Sequence, residues 1–276
     1  MHLLWPMVGV LSGARWGDFV RPVRIGVQLA PQRADYVDIR RAAAEVEALG
    51  ADAVFTWDHF FPLGKDAGGK HFEGWTVLAG VAEQTARVGL GVLVSCNSYR
   101  NPELLADMAR TVDHISGGRV ILGVGAGFKE REFVEYGYEF PAAGRRVAEL
   151  GEALPRIKKR LGVLNPAPVG RMPILIAGGG EQKMLRVVAE HADIWNTFAE
   201  GEDLVRKLGL LKKYCGEIGR DPASIEYSVH VGGDPREVGP PLRELGVSLF
   251  TTSTSGPDYD LDTARQWIAW RDEQNS

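Results

Sequence analysis

From residue 23 onward the chain alternates short runs of β-branched and apolar residues with longer stretches whose apolar positions recur at helical spacing. Residues 23–29, 53–55, 88–94, 120–124, 172–177, 194–198, 225–231 and 247–251 read as strands. Runs such as 88–94 and 172–177 are apolar almost throughout, as expected of strands buried on both faces. Between the strands, 36–49, 75–85, 102–116, 145–160, 181–190, 204–218, 236–245 and 261–270 carry the helical period. Boundary signals agree with this parsing. Gly50 closes the first helix, Asn101-Pro102 opens the third with a capping side chain and a proline, and Ser116-Gly117-Gly118 ends it. Pro155 predicts a break or kink in the helix that contains it.

Eight strand–helix units imply parallel pairing with right-handed crossovers, and that number closes naturally into a barrel. The predicted fold is α/β, a single (β/α)8 TIM barrel over residues 23–276, with a doubly wound open sheet as the competing topology. Residues 1–22 lack this regularity. They are mildly apolar and broken by glycines, too interrupted to span a membrane and without the basic start of a signal peptide. They read as a short N-terminal extension outside the fold.

Composition narrows the class. With 276 residues, 45% hydrophobic and 25% charged, the chain has the make-up of a soluble protein with a substantial core. A net charge of -4 with scattered Lys and Arg predicts neither nucleic acid nor membrane as a partner. Cys96 and Cys215 are the only cysteines, which excludes a disulfide framework and a CxxC metal site and predicts a reduced, cytoplasmic compartment. No loop supplies a convincing set of metal ligands.

In such a barrel the chemistry sits in the loops that follow the strands. The second loop, Trp57-Asp58-His59-Phe60-Phe61, offers a carboxylate and an imidazole as catalytic candidates. Neighbours in extended chain point opposite ways, so Asp58 and His59 are not expected to face the pocket together. A structural histidine bonded to backbone is the other reading of His59. The third loop brings small polar groups, among them Ser95 and Asn97, that could meet a heterocycle's edge. The fourth reads Gly123-Val124-Gly125-Ala126-Gly127-Phe128. It fails as a dinucleotide fingerprint because Phe128 stands where a glycine is needed. Its alternating glycines suit either the close approach of a flat ligand or simple turns. The sharpest signal is the fifth loop, where Ala177 leads into Gly178-Gly179-Gly180 and a helix predicted to start at Glu181. Free backbone N–H groups beside a helix N-terminus suit a phosphate, with Lys183 near enough in sequence to assist. A flexible connection is the alternative. Trp195 is placed near the mouth, and His114 and His230 look structural.

The series Trp57-Asp58-His59-Phe60, Tyr99-Arg100-Asn101-Pro102, Asp113-His114-Ile115-Ser116-Gly117-Gly118-Arg119, Leu122-Gly123-Val124-Gly125-Ala126-Gly127 and Ile176-Ala177-Gly178-Gly179-Gly180 resembles the bacterial luciferase-like oxidoreductases. Within them it is most similar to the actinobacterial branch that uses the deazaflavin coenzyme F420. The resemblance implies a cofactor ring over the strand ends, with its phosphate held by Gly178, Gly179, Gly180 and Glu181. Ala126, Gly127 and Arg131 would flank the ring or its polyol chain. Residues Val92, Leu93, Val94 and Ser95 would lie behind it, where family members often carry a non-proline cis peptide. Asp58 and His59 would face the reacting carbon.

The implied activity is hydride transfer between F420 and a small organic substrate. The family's sugar-phosphate dehydrogenases carry an acidic residue where Phe128 stands, so a more apolar substrate is expected. An FMN-dependent monooxygenase served by a separate reductase is the alternative enzyme. A non-catalytic flavin-binding or deazaflavin-binding barrel and a metal-dependent hydrolase are alternatives from other classes. A homodimer is expected by resemblance.

Overall fold

The computed structural model describes residues 21–64 and 68–276, so nearly all of the extension expected at 1–22 lies outside the described residues. Eight parallel strands close on themselves: β1 (Arg24–Ala30), β2 (Ala53–Thr56), β3 (Gly89–Val92), β4 (Val120–Gly125), β5 (Ile174–Ala177), β6 (Ile194–Thr197), β7 (Glu226–His230) and β8 (Val247–Ser255). Each pairs with the next in sequence, and β8 returns to β1 in a register running from Arg24↔Leu249 to Ala30↔Ser255. The predicted TIM barrel is the fold, and the open-sheet alternative falls.

The helices are α1 (Tyr36–Ala48), α2 (Gly74–Gln84), α3 (Pro102–Ser116), α4 (Glu130–Glu135), α5 (Ala143–Leu161), α6 (Met184–His191), α7 (Gly201–Glu217), α8 (Pro235–Glu244) and α9 (Asp262–Asn275). Both α4 and α5 fall between β4 and β5, so α4 is an addition to the regular alternation. None of the helices among the described residues is long and apolar enough to cross a membrane.

Strand alternation splits the core in two. Ala53, Phe55, Ile121, Leu175, Ile194 and Leu249 fill the barrel interior, while Leu93, Val94 and Ala177 sit partly open against that layer. The opposite faces of the strands pack Val54, Leu90, Leu122 and Ile176 against the surrounding helices. Interior glycines make room for this layer. A Cβ on Gly26 would lie 2.7 Å from the Phe55 ring, and one on Gly91 would lie 2.5 Å from the Ile121 carbonyl oxygen.

Three boundaries differ from expectation. Residues 88–94 do not form one strand: β3 stops at Val92, the Leu93–Val94 peptide is cis, and pairing resumes at Ser95–Cys96 against Val124 and Gly125. The Leu93 carbonyl accepts a 2.6 Å bond from Gln28 Nε2, so a side chain replaces the lost ladder partner. Pro155 breaks nothing, because it sits on the exposed face of α5 while Leu154 and Ile157 hold the other face in the core. Finally, Glu181 to Lys183 form a turn, and α6 begins at Met184 rather than Glu181.

Candidate active site at the barrel mouth

The C-terminal strand ends enclose a cavity of about 820 Å³, a size suited to a cofactor with a small substrate. Its walls include Gln28, Trp57, His59, Leu93, Val94, the stretch Gly125 to Phe128, Gly178, Gly179, Lys207, His230 and Ser253. Two aromatic rims stand open to solvent: Phe128 is 64% exposed and Phe198 is 74% exposed.

Asp58 and His59 both reach the cavity wall, although alternation predicts that they diverge: Asp58 pairs with Arg100 and His59 with Glu132. Asp58 is buried, and its carboxylate takes both arms of the Arg100 guanidinium at 2.6 and 2.9 Å plus the Cys96 amide at 2.8 Å. Burial disfavours the Arg100 charge, but the paired Asp58 carboxylate outweighs it and holds the guanidinium above its ordinary value. Asp58 thus joins the second loop to the third, and its hydrogen-bonding capacity is spent on that joint. It also lines the cavity wall.

His59 faces the cavity between two ring edges. Trp57 stands 5.2 Å away at 88° and Phe128 5.6 Å away at 85°, measured between ring centres. Its Nδ1 lies 2.9 and 3.1 Å from the two oxygens of Glu132, a buried carboxylate on α4. The same carboxylate accepts from the Phe60 amide at 2.9 Å and from the Tyr99 hydroxyl at 2.7 Å. Burial opposes ionisation of Glu132, yet the bonds from His59, Tyr99 and Phe60 outweigh it and hold the carboxyl below its ordinary value. Trp57 is fixed in turn by His71, whose Nε2 accepts the indole N–H at 3.0 Å. Burial, reinforced by His59, pulls His71 down to about 4, so it stays neutral.

Sequence reasoning missed Glu132. The run Lys129-Glu130-Arg131-Glu132 looks like solvated charge, and only the fold brings its last member against His59. Arg131, expected beside the cofactor, instead points away: it pairs with Glu135 at 2.5 Å and lies over Phe61 at 4.2 Å.

Other expected residues sort cleanly by strand phase. Leu93, Val94, Ala126, Gly127, Ala177, Gly178 and Gly179 line the cavity. Val92 is packed outward against the helices, Ser95 is buried with its hydroxyl accepting the Trp75 indole N–H at 3.0 Å, and Asn97 opens a short 3-10 turn outside the wall. Trp195 is fully buried rather than at the mouth, because its place on β6 turns it outward. It still reaches the glycine loop, donating a 2.8 Å indole bond to the Gly178 carbonyl.

The glycine loop is held from both sides, since Gly178 also donates to the Asn196 carbonyl at 3.1 Å. Gly180 and Glu181 lie beyond the wall, and the Glu181 carboxylate is taken by Arg206 and Lys207. The cation beside this loop is Lys207 of α7, not Lys183, whose ammonium lies against Gly144 instead. A Cβ on Gly179 would sit 3.0 Å from the Lys207 side chain, so the glycine keeps that approach open. Lys207 is itself paired with Asp203 at 2.6 and 2.7 Å.

Cys96 contributes no nucleophile. Burial, with the Asp58 and Glu132 charges, pushes its thiol up to about 12. Among the described residues no group of three or more His, Cys, Asp and Glu is arranged to hold a metal ion.

A glycine-lined loop after β5 and a histidine on the β2 loop thus line one cavity. A model of the luciferase-like monooxygenase family matches residues 18–232. The chain belongs to that family. Among individual members, this luciferase-like chain is 32% identical over 140 residues to the F420-dependent glucose-6-phosphate dehydrogenase of Amycolatopsis mediterranei (strain U-32), covering 50% of this chain and 41% of that protein. It is 31% identical over 175 residues to a phthiodiolone/phenolphthiodiolone dimycocerosates ketoreductase of Mycobacterium tuberculosis, covering 56% and 45% of the two chains. The matches thus span less than half the length of these relatives.

Solved structures share the luciferase-like barrel more completely. An F420-dependent secondary alcohol dehydrogenase in complex with an F420-acetone adduct superposes with a TM-score of 0.76 at 16% identity, covering 91% of this chain and 98% of that one. The EDTA monooxygenase of Chelativorans sp. BNC1 does so with a TM-score of 0.71 at 12% identity, covering 92% and 94%. At these identities the likeness is one of fold.

Proposed function

We propose that the chain is an F420-dependent oxidoreductase acting on an uncharged, largely apolar small molecule at an alcohol or carbonyl carbon. The observation that carries this reading is a single cavity with a glycine-bounded, lysine-flanked wall at one side and a carboxylate-supported histidine at the other. The names of the relatives, dehydrogenase and ketoreductase, support the same chemistry.

The residues present fit such a cofactor. Gly179 offers backbone without a side chain beside Lys207, as a phosphate requires, while Gly178 gives its own N–H to Asn196. Leu93, Val94, Ala126 and Gly127 form an apolar, low-profile wall suited to a flat heterocycle. When bound, F420 would supply or accept the hydride. The protein's own part is to orient the substrate oxygen toward His59, which gives or takes the accompanying proton. The aromatic edges of Trp57 and Phe128 flank that imidazole.

Charge on the wall supports a neutral substrate. Among the described residues, Lys207 is the cavity's only Lys or Arg, and Asp203 and Glu181 already compensate it. A sugar phosphate bound opposite the glycine loop would find no free cation, and Phe128 and Phe198 would instead cover apolar groups.

Titrating the purified protein with F420 and with FMN tests the reading. We expect F420 to bind, seen as a change in its fluorescence, and its absorbance to bleach on adding secondary alcohols. Tight FMN binding without F420 binding overturns the proposal in favour of a monooxygenase. F420 binding with neither bleaching by alcohols nor reoxidation of reduced F420 by ketones reduces it to a carrier.

A further inference from the structure

We infer that Glu132 is a positioning residue for His59: it fixes the imidazole as the Nδ1–H tautomer and so leaves Nε2 as the nitrogen presented to the reaction chamber. The inference rests on the reading of His59 as the proton-handling group, and it adds the residue that sets which nitrogen does the work.

The geometry leaves little freedom. Glu132 is 2% exposed, and its carboxylate receives the Phe60 amide on one oxygen and the Tyr99 hydroxyl on the other. An ionised carboxylate only accepts hydrogen bonds, so the His59 Nδ1 that faces both its oxygens must be the donor. In a neutral imidazole a protonated Nδ1 makes Nε2 the lone-pair nitrogen, able to accept a proton from a substrate hydroxyl. When the ring takes that proton, the carboxylate behind it stabilises the charge formed. The carboxylate in a catalytic triad acts on its histidine by the same logic.

Glu132 itself is held in place by a cluster of rings. Tyr99 packs 5.1 Å from Phe133 and 4.5 Å from Phe60, and Tyr138 donates a 2.7 Å bond to the Tyr99 carbonyl. Together with Cys96 and Phe140 these rings form a separate apolar cluster that docks α4 against the second and third loops. The short extra helix between β4 and α5 therefore has a definite product: it delivers one buried carboxylate to the back of His59. Burial and hydrogen bonding to Glu132 push the Tyr99 hydroxyl well above its ordinary range, so it remains a donor at all working pH values.

The other titratable groups near the imidazole cannot replace Glu132. His71 is kept neutral and engaged by Trp57, Glu73 caps α2 and reaches Arg100 at 3.4 Å, and Asp58 is paired with Arg100. Cys96 is a buried thiol.

Nitrogen-15 spectra of histidine-labelled protein read the tautomer directly, without cofactor or substrate. Wild-type His59 is expected in the Nδ1–H form, and observation of the Nε2–H form in the wild type overturns the inference with no variant needed. In Glu132→Gln, whose amide can present either its oxygen or its NH2 to the ring, the tautomer preference should weaken. The limb of the pH–rate profile governed by the imidazole should also move to lower pH, because the imidazolium loses its paired carboxylate. Glu132→Asp should retain the wild-type tautomer if it folds. Tyr99→Phe, which leaves the carboxylate present, should shift the spectra less than Glu132→Gln. If Glu132→Gln lowers thermal stability but leaves the His59 spectrum and the pH profile unchanged, Glu132 is a structural residue only. Loss of all F420 binding in the wild type would instead defeat the functional proposal while leaving the tautomer measurement intact.

Discussion

Asp58 shows how a residue at the cavity wall also serves the scaffold. A buried carboxylate must be paired and bonded, because leaving it bare costs several kcal/mol. Here a fork of the Arg100 guanidinium and a backbone amide meet that demand, and the joint fixes the turn that presents His59. Arg100→Met should therefore lower stability by about 3–5 kcal/mol, since it strands a buried charge, whereas the double change Asp58→Leu with Arg100→Met should recover much of the loss. Urea unfolding of the three proteins decides it; equal destabilisation by the single and double variants would show that the pair does not carry the joint. Chain alternation alone predicted that Asp58 and His59 would not face the pocket together, yet both reach its wall. How each is held depends on Arg100 and Glu132, residues 42 and 73 positions away in sequence that the barrel brings alongside.

At the scale of elements, the strand and helix alternation was readable because each element buries one well-defined face. The departures occur where tertiary contacts replace local rules. Exposed Pro155 is tolerated because Leu154 and Ile157 anchor α5, and β3 is cut short where Gln28 takes over the Leu93 carbonyl. The start of α6 was misplaced because acidic Glu181 resembles a first-turn residue, yet its carboxylate is drawn off to Arg206 and Lys207 of the next helix.

The glycines of β4 suited either a ligand's approach or simple turns in the sequence, but part of their reason is internal. A Cβ on Gly123 would lie 2.0 Å from the Val92 carbonyl oxygen, a backbone atom that cannot step aside. Gly123→Ala should cost about 1–3 kcal/mol as an overpacked site, or roughly 3–10 °C in melting temperature for a chain of this size. Calorimetry checks this. A melting temperature within a degree of wild type would mean that β4 can shift away from β3 without penalty.

For the molecule as a whole, the groups that organise the mouth also set how it responds to acid. His71 is held neutral in the folded protein at a value near 4, whereas in the unfolded chain it titrates at its ordinary value near 6.5. Between those values the unfolded state binds more protons, so this contribution to stability is complete above about 6.5 and is lost as pH falls toward 4. Burial lowers His230 and His191 in the same sense. Glu132 acts lower still: its depressed carboxyl stabilises the fold above the ordinary carboxylate range and ceases to do so as pH falls through its folded value. The melting temperature should therefore decline from pH 6.5 to 4 and then more steeply below. His71→Gln offers the Trp57 indole an uncharged acceptor that cannot be protonated in this range, so it should flatten the upper part of that decline while leaving the steep acid limb in place. An unchanged slope between pH 6.5 and 4 would mean that His71 is free to ionise in the folded state. The Trp57–His71 bond, and with it the fixed edge that Trp57 presents to His59, would then not survive below neutrality.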